Sequence, residues 1–169
     1  MNYNLISINT QKLKKDKVIQ ICKLKDSQWS FGIKSQLEWF KNNIKKNDIH
    51  NLLYIKSKLV GYTLLRRRSF NTKNQIKKKY ILFDTITIHK EYRNKKLSNL
   101  LMIFNNTIIK ETGLFSFLIC KNDLVGFYKK NNWIKLKKKN IKVIDHPFST
   151  NGMLFNTNKT QKYYFYINK

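Results

Sequence analysis

One segment, residues 81–113, contains a change of hydrophobic period that constrains the fold more than any other part of this chain. The β-branched residues Ile86, Thr87 and Ile88 favour an extended backbone, whereas the apolar residues after them recur at helical spacing. Those later residues are Leu97, Leu100, Leu101, Phe104 and Ile108. The segment therefore predicts a buried strand, a short basic loop and an amphipathic helix.

The loop between this strand and this helix predicts an anion-binding site. The first backbone N–H groups of a helix have no partner within the helix, and they lie at the positive end of the helix dipole. Arg93, Lys95 and Lys96 add positive charge at the same place. Such a loop can hold a phosphate group, although a solvated basic turn would have the same residues.

Length and cysteine content predict one domain without covalent or metal cross-links. A chain of 169 residues can bury a sizeable core, so we expect a single domain over residues 1–169. Two cysteines, Cys22 and Cys120, are too few for a disulfide scaffold or a closed zinc site, and we expect no metal. No stretch approaches the ~20 apolar residues that span a bilayer. We expect a cytoplasmic monomer or homodimer with no membrane partner.

The charge of the chain has two explanations. Lys and Arg number 35 against 9 Asp and Glu, a net charge of +26, which favours an anionic partner such as nucleic acid. However, the chain has no alanine, one proline and five glycines, and it is rich in Lys, Asn, Ile, Phe and Tyr. An AT-rich coding sequence produces this composition. Basic runs therefore carry little weight as motifs here.

The remaining patterns predict the element order β-α-α-β-β-β-α-β-α-β-β. Before the loop we expect strands over 4–8, 51–55, 59–70 and 79–88. We also expect two helices there, one over 11–25 capped by Thr10 and one over 36–45 capped by Ser35.

The helix after the loop ends at Gly113 and is followed by a buried parallel strand over 114–120. Asp123 then begins a short helix, and a strand follows over 133–136. We expect irregular structure over 141–158 and an aromatic closing strand over 162–167. This order predicts a mixed α/β (α+β) class.

Two blocks of sequence resemble one protein family. Residues 86–98, ITIHKEYRNKKLS, resemble the pattern V-x-P-E-Y-R-G-K-G-I-G of the GNAT-type N-acetyltransferase superfamily. Residues 126–133, GFYKKNNW, resemble its later F-Y-x-x-x-G-F block. The element order matches along nearly the whole chain, and the motifs cover about its middle third. The resemblance implies a central mixed antiparallel/parallel sheet of about seven strands with helices on both faces.

The resemblance also implies acetyl-CoA as co-substrate and assigns residues to it. The coenzyme A pyrophosphate would lie on Arg93, Asn94, Lys95, Lys96, Leu97 and Ser98. The backbone of Ile86 and Ile88 would bond the pantetheine arm, and Asn122 would bond the cofactor unless it is only a turn residue. In the family loop R-x-x-G-x-G/A, Lys96 and Ser98 replace two small residues. Lys96 is the more serious departure, because its side chain must point away from the phosphate or wrap around it.

The catalytic and acceptor-binding candidates follow from the same resemblance. Tyr128 matches the position whose phenol protonates the departing thiolate, or it is a packed aromatic. Asp84 matches an often acidic position and would bind or deprotonate the amine, or it forms an ion pair with a lysine. Trp39, Arg67 and His146 are candidates for acceptor binding, although His146 would equally suit a surface turn.

These observations predict an acetyl-CoA-dependent N-acetyltransferase that transfers its acetyl group directly to a primary amine. We expect a small acceptor such as an amino sugar or a sugar nucleotide, because a basic surface repels basic peptides and attracts anionic substrates. The alternative is a catalytically degenerate module of the same fold that binds RNA or another polyanion. We favour a nucleic-acid partner less, because the composition explains the charge.

Overall fold

The computed structural model describes residues 2–71, 77–143, 151–157 and 163–165. In chain order its helices are α1 (Lys15–Asp26), α2 (Ile33–Asn43), α3 (Leu97–Glu111) and α4 (Val125–Lys130). Its strands are β1 (Tyr3–Asn9), β2 (Ile49–Ile55), β3 (Lys58–Asn71), β4 (Lys77–Ile88), β5 (Ser116–Cys120), β6 (Ile134–Lys135), β7 (Ile141–Val143), β8 (Asn151–Phe155) and β9 (Tyr163–Phe165).

Seven strands form one mixed sheet in the order β1-β2-β3-β4-β5-β8-β6. The pairs β1–β2, β2–β3, β5–β8 and β8–β6 are antiparallel, and β4–β5 is parallel. The strands β7 and β9 form a separate parallel pair. The predicted mixed α+β class and the parallel strand after Gly113 are confirmed.

The chain clusters into two compact units. The first is Met1–Arg66 with Asp84–Asn105, and the second is Arg67–Phe83 with Asn106–Lys169.

In the first unit, alternate residues of β2 contact helices on opposite faces. Leu52 and Tyr54 belong to the cluster that contains Ile21 of α1 and Phe40 of α2. Leu53 and Ile55 belong to the cluster that contains Leu97 and Leu101 of α3. Successive side chains of a strand point to opposite faces, so this division follows from the strand itself. The prediction of helices on both faces is confirmed in this unit.

The second unit has an aromatic core against which a glycine of β8 packs closely. The rings of Phe117 and Phe165 stack with their centroids 3.6 Å apart. A Cβ atom at Gly152 would lie 2.5 Å from Ile141 Cδ1 and 3.0 Å from Phe117 Cε2. A larger residue there would force the end of the Ile141 side chain to move, so glycine lets β8 approach this core without that shift.

The prediction of irregular structure over residues 141–158 was wrong for 141–143 and 151–155, while 144–150 and 158 lie outside the described residues. This stretch contains β7 and β8, and β8 lies between β5 and β6 in the main sheet. All five residues of β8 are buried, but Asn151 and Gly152 interrupt its apolar pattern, so the sequence lacks a clear strand signal. The aromatic closing strand exists as β9, but it pairs with β7.

Two predicted helix caps were also wrong. Thr10 lies in a 3-10 turn, where its hydroxyl donates to the Asp48 carbonyl at 3.2 Å and contacts His50 Nε2 at 2.9 Å. Ser35 lies inside α2, which begins after Gly32 at φ 85°. The backbone N–H of Gly32 donates to Asp26 Oδ1 at 2.7 Å, so a contact from α1 determines where α2 begins.

Candidate active site

The basic loop before α3 has the backbone conformation that glycine would favour. Asn94 and Lys96 have φ angles of 61° and 59°. The carbonyl of Lys96 accepts hydrogen bonds from the N–H groups of Asn99 at 3.1 Å and Leu100 at 3.2 Å, so α3 starts directly after it. A lysine in this left-handed region costs about 1 kcal/mol. The loop therefore keeps the glycine-like geometry in spite of the substitution.

Three successive backbone donors at this helix start are available to a ligand. Within the part of the chain that the structure describes, the N–H groups of Lys96, Leu97 and Ser98 donate to no acceptor. Lys96 is exposed and Ser98 is half-buried. Consecutive N–H groups at the positive end of a helix dipole bind phosphate. The residues present therefore fit the pyrophosphate that the resemblance implies.

The basic side chains of the loop are held by neighbours in the same unit. Arg93 Nε donates to the Ile88 carbonyl at 3.2 Å, and its Nη2 donates to Gln28 Oε1 in the connection between α1 and α2. Lys95 Nζ lies 5.1 Å from the centroid of the Tyr92 ring. Arg93 thus ties the loop to the segment that precedes α2. Because these side chains are engaged within the unit, the backbone amides are the loop's candidate groups for an anion.

The side chains of Ile86 and Ile88 serve the core. Both are half-buried and pack against the cluster that contains Leu97 and Leu101. The sequence predicted this packing for the side chains. The predicted role of their backbone toward a pantetheine arm stays a prediction.

A cavity of about 490 Å³ lies in the first unit, beside α2. It is lined by Lys25, Trp29, Phe31, Ser35, Gln36, Trp39, Asp84 and Thr85. Trp39 and Asp84, which the sequence singled out separately, thus line one pocket together. Three of these lining residues are aromatic, and the charged ones come from α1 and β4. A pocket of this size suits a small organic molecule.

Asp84 is held in place by two donors. Arg66 Nη1 donates to its Oδ2 at 2.6 Å, and Thr85 Oγ1 donates to its Oδ1 at 3.0 Å. The side chain of Arg66 is 2% exposed and that of Asp84 is 17% exposed. Arg66 Nη2 also donates to the carbonyl of Asn43 at 3.2 Å. Asp84 is therefore an oriented carboxylate with an open side toward the pocket, and its ion-pair partner is an arginine instead of the expected lysine.

Lys25 is a pocket residue that the sequence analysis missed. It lies in the last turn of α1, is 7% exposed, and its Nζ lies 3.6 Å from the centroid of the Trp39 ring. Burial lowers the pKa of Lys25, and the charge of Asp84 opposes that shift. Lys25 follows Ile21 by four residues and Cys22 by three, which places it on the buried stripe of its helix. A lysine on an apolar stripe was the signal for it.

His50 is a buried histidine of β2 that contacts Tyr62, Thr10 and Phe40. His50 Nδ1 lies 2.9 Å from the Tyr62 hydroxyl, and its Nε2 contacts the Thr10 hydroxyl. Its ring stacks on Phe40 with centroids 5.5 Å apart. Burial lowers the pKa of His50 to about 4, and the charge of Lys25 adds to this effect. His50 is therefore neutral at physiological pH.

Tyr128 and Asn122 belong to the second unit. Tyr128, on α4, is buried between Phe83 and Trp133, and its hydroxyl bonds to none of the described residues. Burial raises the pKa of Tyr128 well above its ordinary value. Asn122 is exposed, and its Oδ1 accepts a hydrogen bond from Asn151 Nδ2 at 2.8 Å. Tyr128 is both a packed aromatic and a protonated phenol, so packing alone does not exclude a role as an acid.

Two acceptor candidates are not placed at the pocket. Arg67 is exposed, while its neighbours Arg66 and Arg68 are buried, so Arg66 is the inward arginine beside the pocket. His146 lies outside the described residues. Among the residues that are described, no group of three His, Cys, Asp or Glu side chains could hold a metal ion, and no helix is long and apolar enough to cross a membrane.

Solved structures resemble this chain over nearly its full length. An acyl-CoA N-acyltransferase from Pseudomonas aeruginosa matches with a TM-score of 0.68 and 11% identity, covering 90% of this chain and 99% of that one. The PaiA N-acetyltransferase from Thermoplasma acidophilum in complex with coenzyme A matches with a TM-score of 0.56 and 18% identity, covering 96% and 100%. An acetyltransferase of the GNAT family from Staphylococcus aureus Mu50 matches with a TM-score of 0.56 and 17% identity, covering 90% and 98%.

These likenesses define the class of fold. No protein-family model matches the chain, and no curated protein matches its sequence. The chain nevertheless has the GNAT-type N-acetyltransferase fold, as the sequence predicted.

Proposed function

We propose that this protein is an acetyl-CoA-dependent N-acetyltransferase that transfers the acetyl group directly to a primary amine of a small molecule. The observation that carries this proposal is the row of N–H groups at Lys96, Leu97 and Ser98, which have no acceptor among the described residues. A pyrophosphate is an anion that these groups could bind. The coenzyme A complex of the structurally similar PaiA enzyme supports the same co-substrate.

The pocket beside α2 supplies an acceptor site within the same unit as the loop. Asp84 presents a fixed carboxylate that can hold an ammonium group and take its proton through water. Trp29 and Trp39 offer flat apolar faces on which a sugar ring or another apolar body can stack. An amino sugar or a sugar nucleotide remains our proposal for the acceptor.

Acetyl-CoA supplies the thioester carbonyl that the amine attacks. On the protein side, Asp84 orients the amine, and the pocket walls position the rest of the acceptor. Tyr128 is the proposed acid for the departing thiolate, because its phenol is protonated at physiological pH. Burial raises its pKa, which keeps the proton on the phenol but also makes it a weaker proton donor. Its hydroxyl has no partner among the described residues, which leaves it available as a donor.

Calorimetric titration with acetyl-CoA at moderate salt tests this proposal, with a thiol-release assay on a panel of amines as the second step. We expect saturable micromolar binding to the wild type and to Tyr128→Phe, with a lower turnover in that variant only. No binding by the wild type or by Lys96→Gly would contradict the proposal. Binding of RNA that weakens steeply with salt would then support the polyanion module instead.

A further inference from the structure

Lys25 carries a buried positive charge that the described residues do not neutralise. Its Nζ donates to no described acceptor and forms no ion pair with a described carboxylate. The carboxylate of Asp84 is already bonded to Arg66 and Thr85. Among the described residues that line the pocket, Lys25 is the one cation and Asp84 the one carboxylate, and Asp84 is already engaged by Arg66 from beside the pocket.

The contact with Trp39 compensates this burial only in part. The Nζ of Lys25 lies 3.6 Å from the Trp39 ring centroid, which is a cation–π contact. The desolvation cost of burying an ammonium ion is larger than the stabilisation from one such contact. An anion bound in the pocket would offset the remainder, since Lys25 itself lines the pocket.

The arrangement of charges indicates what kind of molecule fits. The pocket has a carboxylate on β4, an ammonium on α1, and aromatic side chains at Trp29, Phe31 and Trp39. A molecule complementary to it has a positive group, a negative group and an apolar or ring-shaped body.

We propose that Lys25 binds an anionic oxygen group of the acceptor, so that the substrate is a primary amine that also carries a carboxylate or a phosphate. This inference rests on the proposed acetyltransferase function. In it, Asp84 receives the amine and Lys25 receives the anion, which sets the orientation of the acceptor in the pocket.

The test compares matched acceptors that differ only in the anionic group. Tyramine and tyrosine differ by a carboxylate, and glucosamine and glucosamine 6-phosphate differ by a phosphate. The variants are Lys25→Met, which keeps the length without the charge, and Lys25→Arg, which keeps the charge. Lys23→Met is the control, because Lys23 is an exposed lysine in the same turn of α1 and its loss changes the net charge equally.

In the acceptor pair that the wild type uses better, we expect the KM of the anionic member to be about 10- to 100-fold lower than the KM of the neutral member. Lys25→Met should remove this preference by raising the KM of the anionic member with kcat little changed. Lys25→Arg should restore part of the preference, and Lys23→Met should keep all of it. Which pair shows the effect distinguishes a carboxylate from a phosphate. Quenching of tryptophan fluorescence by each acceptor gives the same comparison without turnover.

Two results would overturn the inference. Equal use of neutral and anionic acceptors by the wild type would show that no anion is recognised. An equal loss for both members in Lys25→Met, through kcat, would show that Lys25 acts on the amine or on Asp84. Calorimetry with acetyl-CoA on the same variants distinguishes failure of this inference from failure of the proposed function. If the proposed function is wrong, the wild type itself lacks cofactor binding or all turnover.

Discussion

The loop before α3 and the pocket beside α2 are both suited to anions, but different parts of the chain form them. In the loop the donors are consecutive backbone N–H groups, which every residue except proline supplies. In the pocket the described charged groups are the side chains of Lys25 on α1 and Asp84 on β4, and Arg66 of β3 pairs with Asp84 from beside the pocket. The comparison indicates that the loop tolerates a change of residue that keeps its conformation, whereas the pocket depends on the identity of each charged residue.

The largest effect should come from the ion pair of the pocket. Asp84→Asn removes the carboxylate that would receive the amine and breaks the ion pair with Arg66, whose side chain is 2% exposed. We expect kcat/KM to fall at least about 100-fold and the free energy of unfolding to fall by about 3 kcal/mol. Steady-state kinetics and urea denaturation measure the two quantities.

The control for this experiment is a double-mutant cycle with Arg66→Met. The single Arg66 variant should also lose stability, but the double variant should recover much of it, because neither buried charge then lacks a partner. Additive losses in the cycle would show that the pair contributes nothing as a pair. Acetyl-CoA binding at the loop should stay unchanged in all three variants.

The next largest effect should be a pH dependence of the free energy of unfolding, which a buried side chain causes and the loop backbone does not. The folded chain holds the pKa of His50 at about 4, against 6.5 for an ordinary histidine. The unfolded chain therefore binds a proton first as pH falls, so stability present above pH 6.5 is lost toward pH 4, by about 3 kcal/mol at most. Urea denaturation at a series of pH values measures this slope.

The matched variant for this prediction is His50→Gln, which can bond to Thr10 and Tyr62 but does not titrate in this range. Its stability should be lower at neutral pH and flatter between pH 6.5 and 4. An unchanged slope in the variant would assign the acid sensitivity to other groups.

A smaller effect should follow from removing one backbone donor of the loop. Ser98→Pro deletes an N–H group that has no acceptor among the described residues, at a helix position where proline is tolerated. We expect the dissociation constant for acetyl-CoA to rise about tenfold, with stability nearly unchanged. Ser98→Ala keeps the N–H group and should bind like the wild type. Equal loss in both variants would assign the interaction to the serine hydroxyl.

The smallest effect should come from the residue that looked most damaging in the sequence. Lys96→Gly relieves a left-handed conformation that costs lysine about 1 kcal/mol, but it also makes the unfolded chain more flexible. We expect stability to change by less than about 1 kcal/mol and acetyl-CoA affinity to change less than about threefold. Thermal denaturation and calorimetry measure these, and a tenfold gain in affinity would show that Lys96 obstructs the site.

Local pattern was enough to predict the elements with strong periodicity. The strand before the loop, the helix after it and the end of that helix at the left-handed Gly113 could all be predicted because neighbouring residues determine them. The strand β8 could not, since burial by the surrounding strands holds a segment with weak intrinsic pattern. The inward arginine could not be chosen either, because alternation along a strand is satisfied equally by Arg67 inward or by Arg66 and Arg68 inward.

The sequence by itself determined the fold class, the basic loop and two members of the pocket, Trp39 and Asp84. These depend on local periodicity and on motifs within short stretches of chain. Only the tertiary structure brought Lys25 over Trp39 and paired Arg66 with Asp84. Such contacts join residues far apart in the chain. Their energies depend on burial and distance, which spacing along the sequence does not contain.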